Sequence, residues 1–300
     1  MRRRQFVVLL AQGTGACLAG GGSAEPPPPP RRTTEPEPQT ELDPLEAAAA
    51  RLRGLHERDG FTVVVQDPFL VVGDESPALV QRRATNTVGW ASARLREAYF
   101  DQAPPGPPVV WLFRDDESYR RWAKALWDDE PDTPYGYYSA EHNVLVMNIS
   151  TGGGTLVHEL VHPFIDANFP QCPSWFDEGL ASLYEQCGER DGKIVGFENW
   201  RLSGLREHIE AGTNPSFDAL THTSREAFYA DESGVHYAQA RYLCFYLQEH
   251  GLLRRYYHAF VAAAEVDPSG YETLKTVLDT RDMKAFQREW ERYVLALRFA

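Results

Sequence analysis

His158, Glu159 and His162 fall in the run 155–162, TLVHELVH, in the pattern H-E-x-x-H. On a helix, residues four apart lie about 5–6 Å from each other on one face, so His158 and His162 can offer two imidazole nitrogens to one metal ion. Glu159 sits one position round from the first histidine, where its carboxylate reaches a water on the metal rather than the metal itself, the geometry of a general base. Sixteen residues after His162 comes Glu178, in the run 175–181, WFDEGLA. Two histidines and one glutamate leave the fourth tetrahedral position free, as a catalytic zinc site requires. A histidine six residues after His162 would have completed a different ligand set, but Ile165 and Asn168 hold the positions where that set needs Gly and His. Helix-end chemistry offers a competing account of part of this run: Pro173 and Ser174 open a helix, and Ser174 with Asp177 fits a capping box. That accounts for Asp177 but does not ask for the Glu178-Gly179 pair.

With W-x-x-E-G-x-A added to H-E-x-x-H, the chain resembles the gluzincins, the thermolysin-like zinc metallopeptidases, and within them the bacterial peptidase-MA-like and aminopeptidase-N-like proteins. The resemblance is specific over 155–162 and 175–181 and extends more loosely over about residues 60–298. It implies an α+β, zincin-like fold and one Zn2+ per chain on His158, His162 and Glu178. Glu159 is then the base, and a peptide or protein the substrate. Asp177 falls where the family often has an asparagine that supports the second histidine. Thermolysin has an aspartate four residues after its glutamate ligand, and here that position is Ser182. Asp166, one turn beyond His162, is then a candidate to orient a ligand. Members of the family use a tyrosine or histidine from a later helix to stabilise the transition state, and Tyr237 and His236 both stand in the run 233–241. Tyr237 lies at a spacing from Glu178 comparable to the family's and opens a helix with an apolar stripe of Ala240, Leu243, Cys244 and Leu247; His236 is the alternative. The Gly-x-Met-Glu-Asn motif with which aminopeptidases capture a free amine is absent, which favours an endopeptidase. An inactive metal-binding surface protein and a zinc amidase remain as other readings of the same residues.

The amino terminus carries Arg2, Arg3 and Arg4, a short apolar run at 6–11 and small residues up to Ala24, the order of a secretory signal. Arg3 and Arg4 also suit twin-arginine export. Cys17, preceded by small residues, suits a lipoprotein anchored in the membrane, although Thr14 stands where a lipobox has leucine; simple secretion with cleavage near Ala24 is the other route. Residues 25–44 are proline-rich and acidic and cannot bury a core, so they form an extended spacer. The body is then 45–300, an α+β lobe over 45–168 that includes the active-site helix and a helical lobe over 169–300. A net charge of -13 argues against a nucleic-acid partner, and the location expected is extracytoplasmic.

The elements that must position these groups are legible as alternating apolar patterns. Helices are expected over 42–58, 78–99 and 117–127, and strands over 61–65, 69–72 and 109–113. Strands 135–139 and 143–148 read as a hairpin just before the catalytic helix, with 144–147 as the sheet edge that pairs with extended substrate. From Asn199 onward the pattern is mostly helical, including 235–250, 252–264, 271–278 and 283–299. Cys172 and Cys187 flank the helix carrying Glu178, where about fourteen helical residues would hold them roughly 20 Å apart and forbid a bond between them. Free thiols, or pairing of one of the two with Cys244, remain.

Overall fold

Alternation along the strands decides which helices can cover the sheet. In a strand, successive side chains point to opposite faces. Val110 and Leu112 of β3 (Val109–Phe113) lie in one core together with Val71, Leu145, Met147, Leu156 and Leu160. Their neighbours Trp111 and Phe113 lie in another, with Val72, Val144, Val146, Tyr119 and Ala123. The sheet is therefore apolar on both faces and has helices on both. The structure, a computed structural model, describes residues 43–299. The export signal expected at 1–24 with Cys17, and the expected proline-rich spacer up to residue 42, lie outside the described residues.

The five-stranded sheet has the order β1 (Thr62–Gln66), β2 (Phe69–Gly73), β3, β5 (Val144–Asn148), β4 (Gly136–Ser139). The outer pairs β1/β2 and β4/β5 are antiparallel, and the inner pairs β2/β3 and β3/β5 are parallel. With the helices, this makes an α+β fold. The hairpin expected before the catalytic helix is present, but its second strand is not the edge. All five residues of β5, VLVMN, are buried, which suits an inner parallel strand covered on both faces. The edge on that side is β4, whose Tyr137, Tyr138 and Ser139 are half-buried.

On the face of Val110 and Leu112 lie α5 (Gly153–Asn168) and the helix expected over 78–99, which runs as α2 (Pro77–Arg83), a π-helical stretch Ala84–Gly89 and α3 (Trp90–Ala98). On the opposite face lie α1 (Pro44–His56) and α4 (Asp116–Trp127), the latter capped by Asp115 on the Ser118 amide at 2.8 Å. Beyond α5 come α6 (Ser174–Leu183) and a small hairpin of β6 (Cys187–Arg190) and β7 (Lys193–Gly196), a feature the apolar pattern did not suggest. The rest is helical: α7 (Arg201–Glu210), α8 (Phe217–Thr221), α9 (Arg225–Tyr229), α10 (Val235–Glu249), α11 (Leu253–Ala263), α12 (Tyr271–Val277) and α13 (Met283–Ala296). α10 is the axis of this half, with an unbroken buried run from Ala238 to Leu247. Every position of that run faces protein, as in a helix packed on all sides.

Cys172, Cys187 and Cys244 are all free thiols. Burial pushes the Cys187 thiol up to about 12 and raises those of Cys172 and Cys244 as well, which suppresses the reactive thiolate. Among the described residues, no helix is long and apolar enough to cross a membrane.

Candidate metal centre

The site is assembled from two helices that cross behind β4. α5 enters through Gly152 with φ at 111° and carries LVHELVH inward, so that Leu156, Leu160 and Val161 are packed in the core while both histidines turn to the other side. α6 supplies Glu178, which is 6% exposed. Two glycines allow close approaches around these helices, one to the chain after α6 and one to α10. A β-carbon on Gly154 would lie 2.1 Å from the Glu185 carbonyl oxygen, and one on Gly179 would lie 3.1 Å from the backbone of Ala240 in α10. Gly179 is thus explained by a close helix crossing, and Glu178 by what it faces.

His158, His162 and Glu178 each direct one ligand atom to a common point, the three atoms lying within 4.8 Å of one another. The imidazole centroids are 5.1 Å apart at 69°. Glu178 Oε2 lies 3.3 Å from His158 Nε2 and is buried with no hydrogen-bond partner. A buried carboxylate oxygen without a donor is costly unless a cation takes its place, and two imidazoles with one carboxylate are a donor set that holds a metal ion. These residues fit such an ion. Glu159 Oε2 stands 3.9 Å from His162 Nε2, beside the point of convergence rather than in it.

Each histidine is backed by a carboxylate on its far nitrogen. Asp177 Oδ1 is 2.8 Å from His162 Nδ1, the support expected of that position, and the helix start has no side-chain cap hydrogen bond. The capping box is therefore not formed, because the imidazole has the aspartate. On His158 the expectation fails at Ser182, which is fully buried with its hydroxyl unpartnered. The carboxylate nearest that nitrogen is Glu185, whose Oε1 stands 3.4 Å from His158 Nδ1 as a charge contact, the nitrogen itself having no hydrogen bond. Arg201 holds Glu185 with two hydrogen bonds, Nε at 3.0 Å and Nη2 at 2.7 Å, and Asn199 Nδ2 adds a third at 3.0 Å. Asp166 orients neither histidine; it lines the cavity.

Burial and charge compete in this cluster. Burial opposes charge on His162, but Asp177 outweighs it and pushes the imidazole up to about 9. Burial likewise opposes charge on His158, and Glu178 with Glu185 reverses the shift to well above the ordinary histidine value. Burial raises Glu159 above its ordinary value, with the Glu178 charge adding to the shift and His158 and His162 offsetting part of it. For Glu178 burial is overcome by His158 and His162, which hold it at about 2.

The centre opens into a cavity of about 400 Å³ whose walls are Tyr137 and Tyr138 of β4 with Ala140 just after it on one side, and Arg225, Tyr229 and Tyr237 on the other. Tyr237 is half-buried at the start of α10, with its ring under the Arg201 guanidinium at 5.1 Å. Its hydroxyl has no protein partner among the described residues. His236, the alternative donor, does not line the cavity: its ring stacks on Phe228 and its Nδ1 faces Asp231 at 3.7 Å. One helical step separates the two side chains by about 100°, and it is Tyr237 that turns inward. Sequence reasoning missed Tyr229, whose hydroxyl donates to Glu178 Oε1 at 2.7 Å. It also missed Glu185, which lies past the end of α6 and so carries no helical spacing from Glu178. Compared with protein-family models and with curated proteins, the chain finds no match.

Proposed function

We propose that this protein is a zinc-dependent metallopeptidase of the gluzincin type, an endopeptidase that works outside the cytoplasm. One observation carries the reading: His158, His162 and Glu178 converge on one point at the floor of an open cavity, with Glu159 beside that point and not in it. The mixed sheet with its β4 edge beside the H-E-x-x-H helix, followed by a helical half that supplies Glu178 and Tyr237, supports a zincin-like arrangement.

His158, His162 and Glu178 would hold the zinc, which when bound acidifies a water and polarises a carbonyl. Glu159 takes a proton from the attacking water and passes it to the leaving amine; a carboxylate lifted above its usual range by burial is suited to both transfers. Tyr237, its hydroxyl unengaged, donates to the oxygen that gains charge. Asp177 holds His162 in the tautomer and orientation that keep its Nε2 turned to the metal point, and Glu185 places a negative charge behind His158. The β4 edge at Tyr137 and Tyr138 takes the pairing role first expected of 144–147, aligning an extended peptide along the cavity. The basic, apolar and small-residue order of 1–24 supports export, on a lipid anchor at Cys17 or in free form.

A diverse peptide library incubated with the purified protein and read by mass spectrometry tests this. Cleavage at internal bonds that stops with a chelator and returns with zinc is expected. An intact library at every zinc concentration would overturn the assignment.

A further inference from the structure

We infer that Tyr229 is a positioning residue that makes Glu178 bind the metal through one oxygen only, an inference that rests on the metal-centre reading above. The two oxygens of Glu178 have different surroundings. Oε1 accepts the 2.7 Å hydrogen bond from the Tyr229 hydroxyl, while Oε2 is buried without a hydrogen-bond partner and lies 3.3 Å from His158 Nε2. A carboxylate with both oxygens free can chelate, and chelation would take up the position that an attacking water needs. A hydrogen bond to Oε1 weakens that oxygen as a ligand and holds the carboxylate rotated so that Oε2 is the one presented.

The phenol is held for this task although its side chain is 42% exposed. It ends α9, which Ser224 caps through the Ala227 amide at 3.2 Å and which buried Phe228 anchors to the core. The Tyr229 ring packs edge-on against Phe228 at 5.6 Å and against Tyr237 at 6.3 Å, and the Arg225 guanidinium covers it at 4.9 Å. Two tyrosines thus share one cavity with divided roles: Tyr229 spends its hydroxyl on a ligand, and Tyr237 keeps its own for substrate.

Tyr229→Phe removes the hydroxyl and keeps the ring. Zinc affinity, measured by competition with a chromophoric chelator, should fall by about 10–100-fold. In the cobalt-substituted protein the visible absorption should weaken as both oxygens engage and four-coordinate geometry gives way to five-coordinate. Tyr237→Phe is the comparator and should keep the parental affinity and spectrum. Parental affinity and spectrum in Tyr229→Phe would overturn the inference, and so would weaker affinity with an unchanged spectrum, since the hydroxyl would then not govern which oxygens bind. A parent protein that takes up neither zinc nor cobalt would instead overturn the metal centre itself.

Discussion

At the centre of the site, each imidazole is a shared group between a metal point and a carboxylate, and this makes metal affinity a function of pH. With Asp177 pushing His162 up to about 9, a metal ion arriving at neutral pH must displace a proton. The sign follows: affinity rises with pH, by about tenfold per unit for each proton released, and the part due to His162 levels off above about 9. Asp177→Asn removes the charge that holds this proton, so between pH 7 and 9 the dependence should become shallower by one proton, while affinity at pH 9 drops by about 10–100-fold through the lost orientation. Chelator competition at a series of pH values measures both. A slope equal to the parent's would mean that Asp177 does not govern His162. Tyr237→Phe should lower kcat by about 10²–10³-fold with little change in KM or metal content. His236→Ala, outside the cavity, should stay near parental. The reverse order in steady-state kinetics would move the donor to His236. His158, Glu159, His162 and Glu178 were all legible in the sequence because their spacing is set by one helix and one short motif. Glu185 and Tyr229 were not, because Glu185 lies past the end of α6 and Tyr229 comes from a five-residue helix brought in by tertiary packing.

The backbone approaches closely at Gly154 beside the site, and that glycine should be hard to replace. Gly154→Ala would drive a methyl against the Glu185 carbonyl at 2.1 Å, so a loss of about 1–3 kcal/mol in stability is expected, together with weaker metal binding as Glu185 leaves His158. Gly153→Ala, where the nearest atom is Thr87 Cγ2 at 3.9 Å, should be within about 0.5 kcal/mol of parental. Chemical unfolding of the two variants decides; equal stabilities would show that α5 does not need its close approach. At this scale the strands and the long helices were readable, since their apolar periods come from burial on defined faces. The sheet edge was not, because strand order follows from which strands pair and not from any one strand's pattern. The apolar run VLVM at 144–147 marks burial, and burial on both faces belongs to an inner strand. The β6/β7 hairpin shows the converse. Its Asp191-Gly192 turn, with φ of 53° and 75°, matches a hairpin signal, but the half-exposed CGER of β6 has no apolar alternation to draw attention to it.

Across the molecule, the metal point joins the half built on the sheet, through α5 and the β4 edge, to the helical half, through α6, α9 and α10. An ion bound there should stabilise both together. At free zinc about 100 times its Kd, linkage contributes about 2.7 kcal/mol, and for a domain of this size that is about 5–11 °C in Tm. Thermal unfolding with and without chelator should show the shift in the parent and in Glu159→Gln, and His162→Ala should lose it. The acidic surface and the 1–24 leader, legible only as composition, predict that cell fractionation finds the protein outside the cytoplasm, with Cys17→Ala releasing it from membranes if it is lipid-anchored. Unprocessed protein in the cytosolic fraction would contradict export.

The most direct test of the central claim is peptide turnover by Glu159→Gln at full zinc occupancy. The amide keeps the size of the carboxylate and removes only the proton acceptor, so elemental analysis should still find one zinc per chain while kcat falls by at least about 10²–10⁴-fold. A variant that holds its zinc and cleaves peptides at the parental rate would contradict the account.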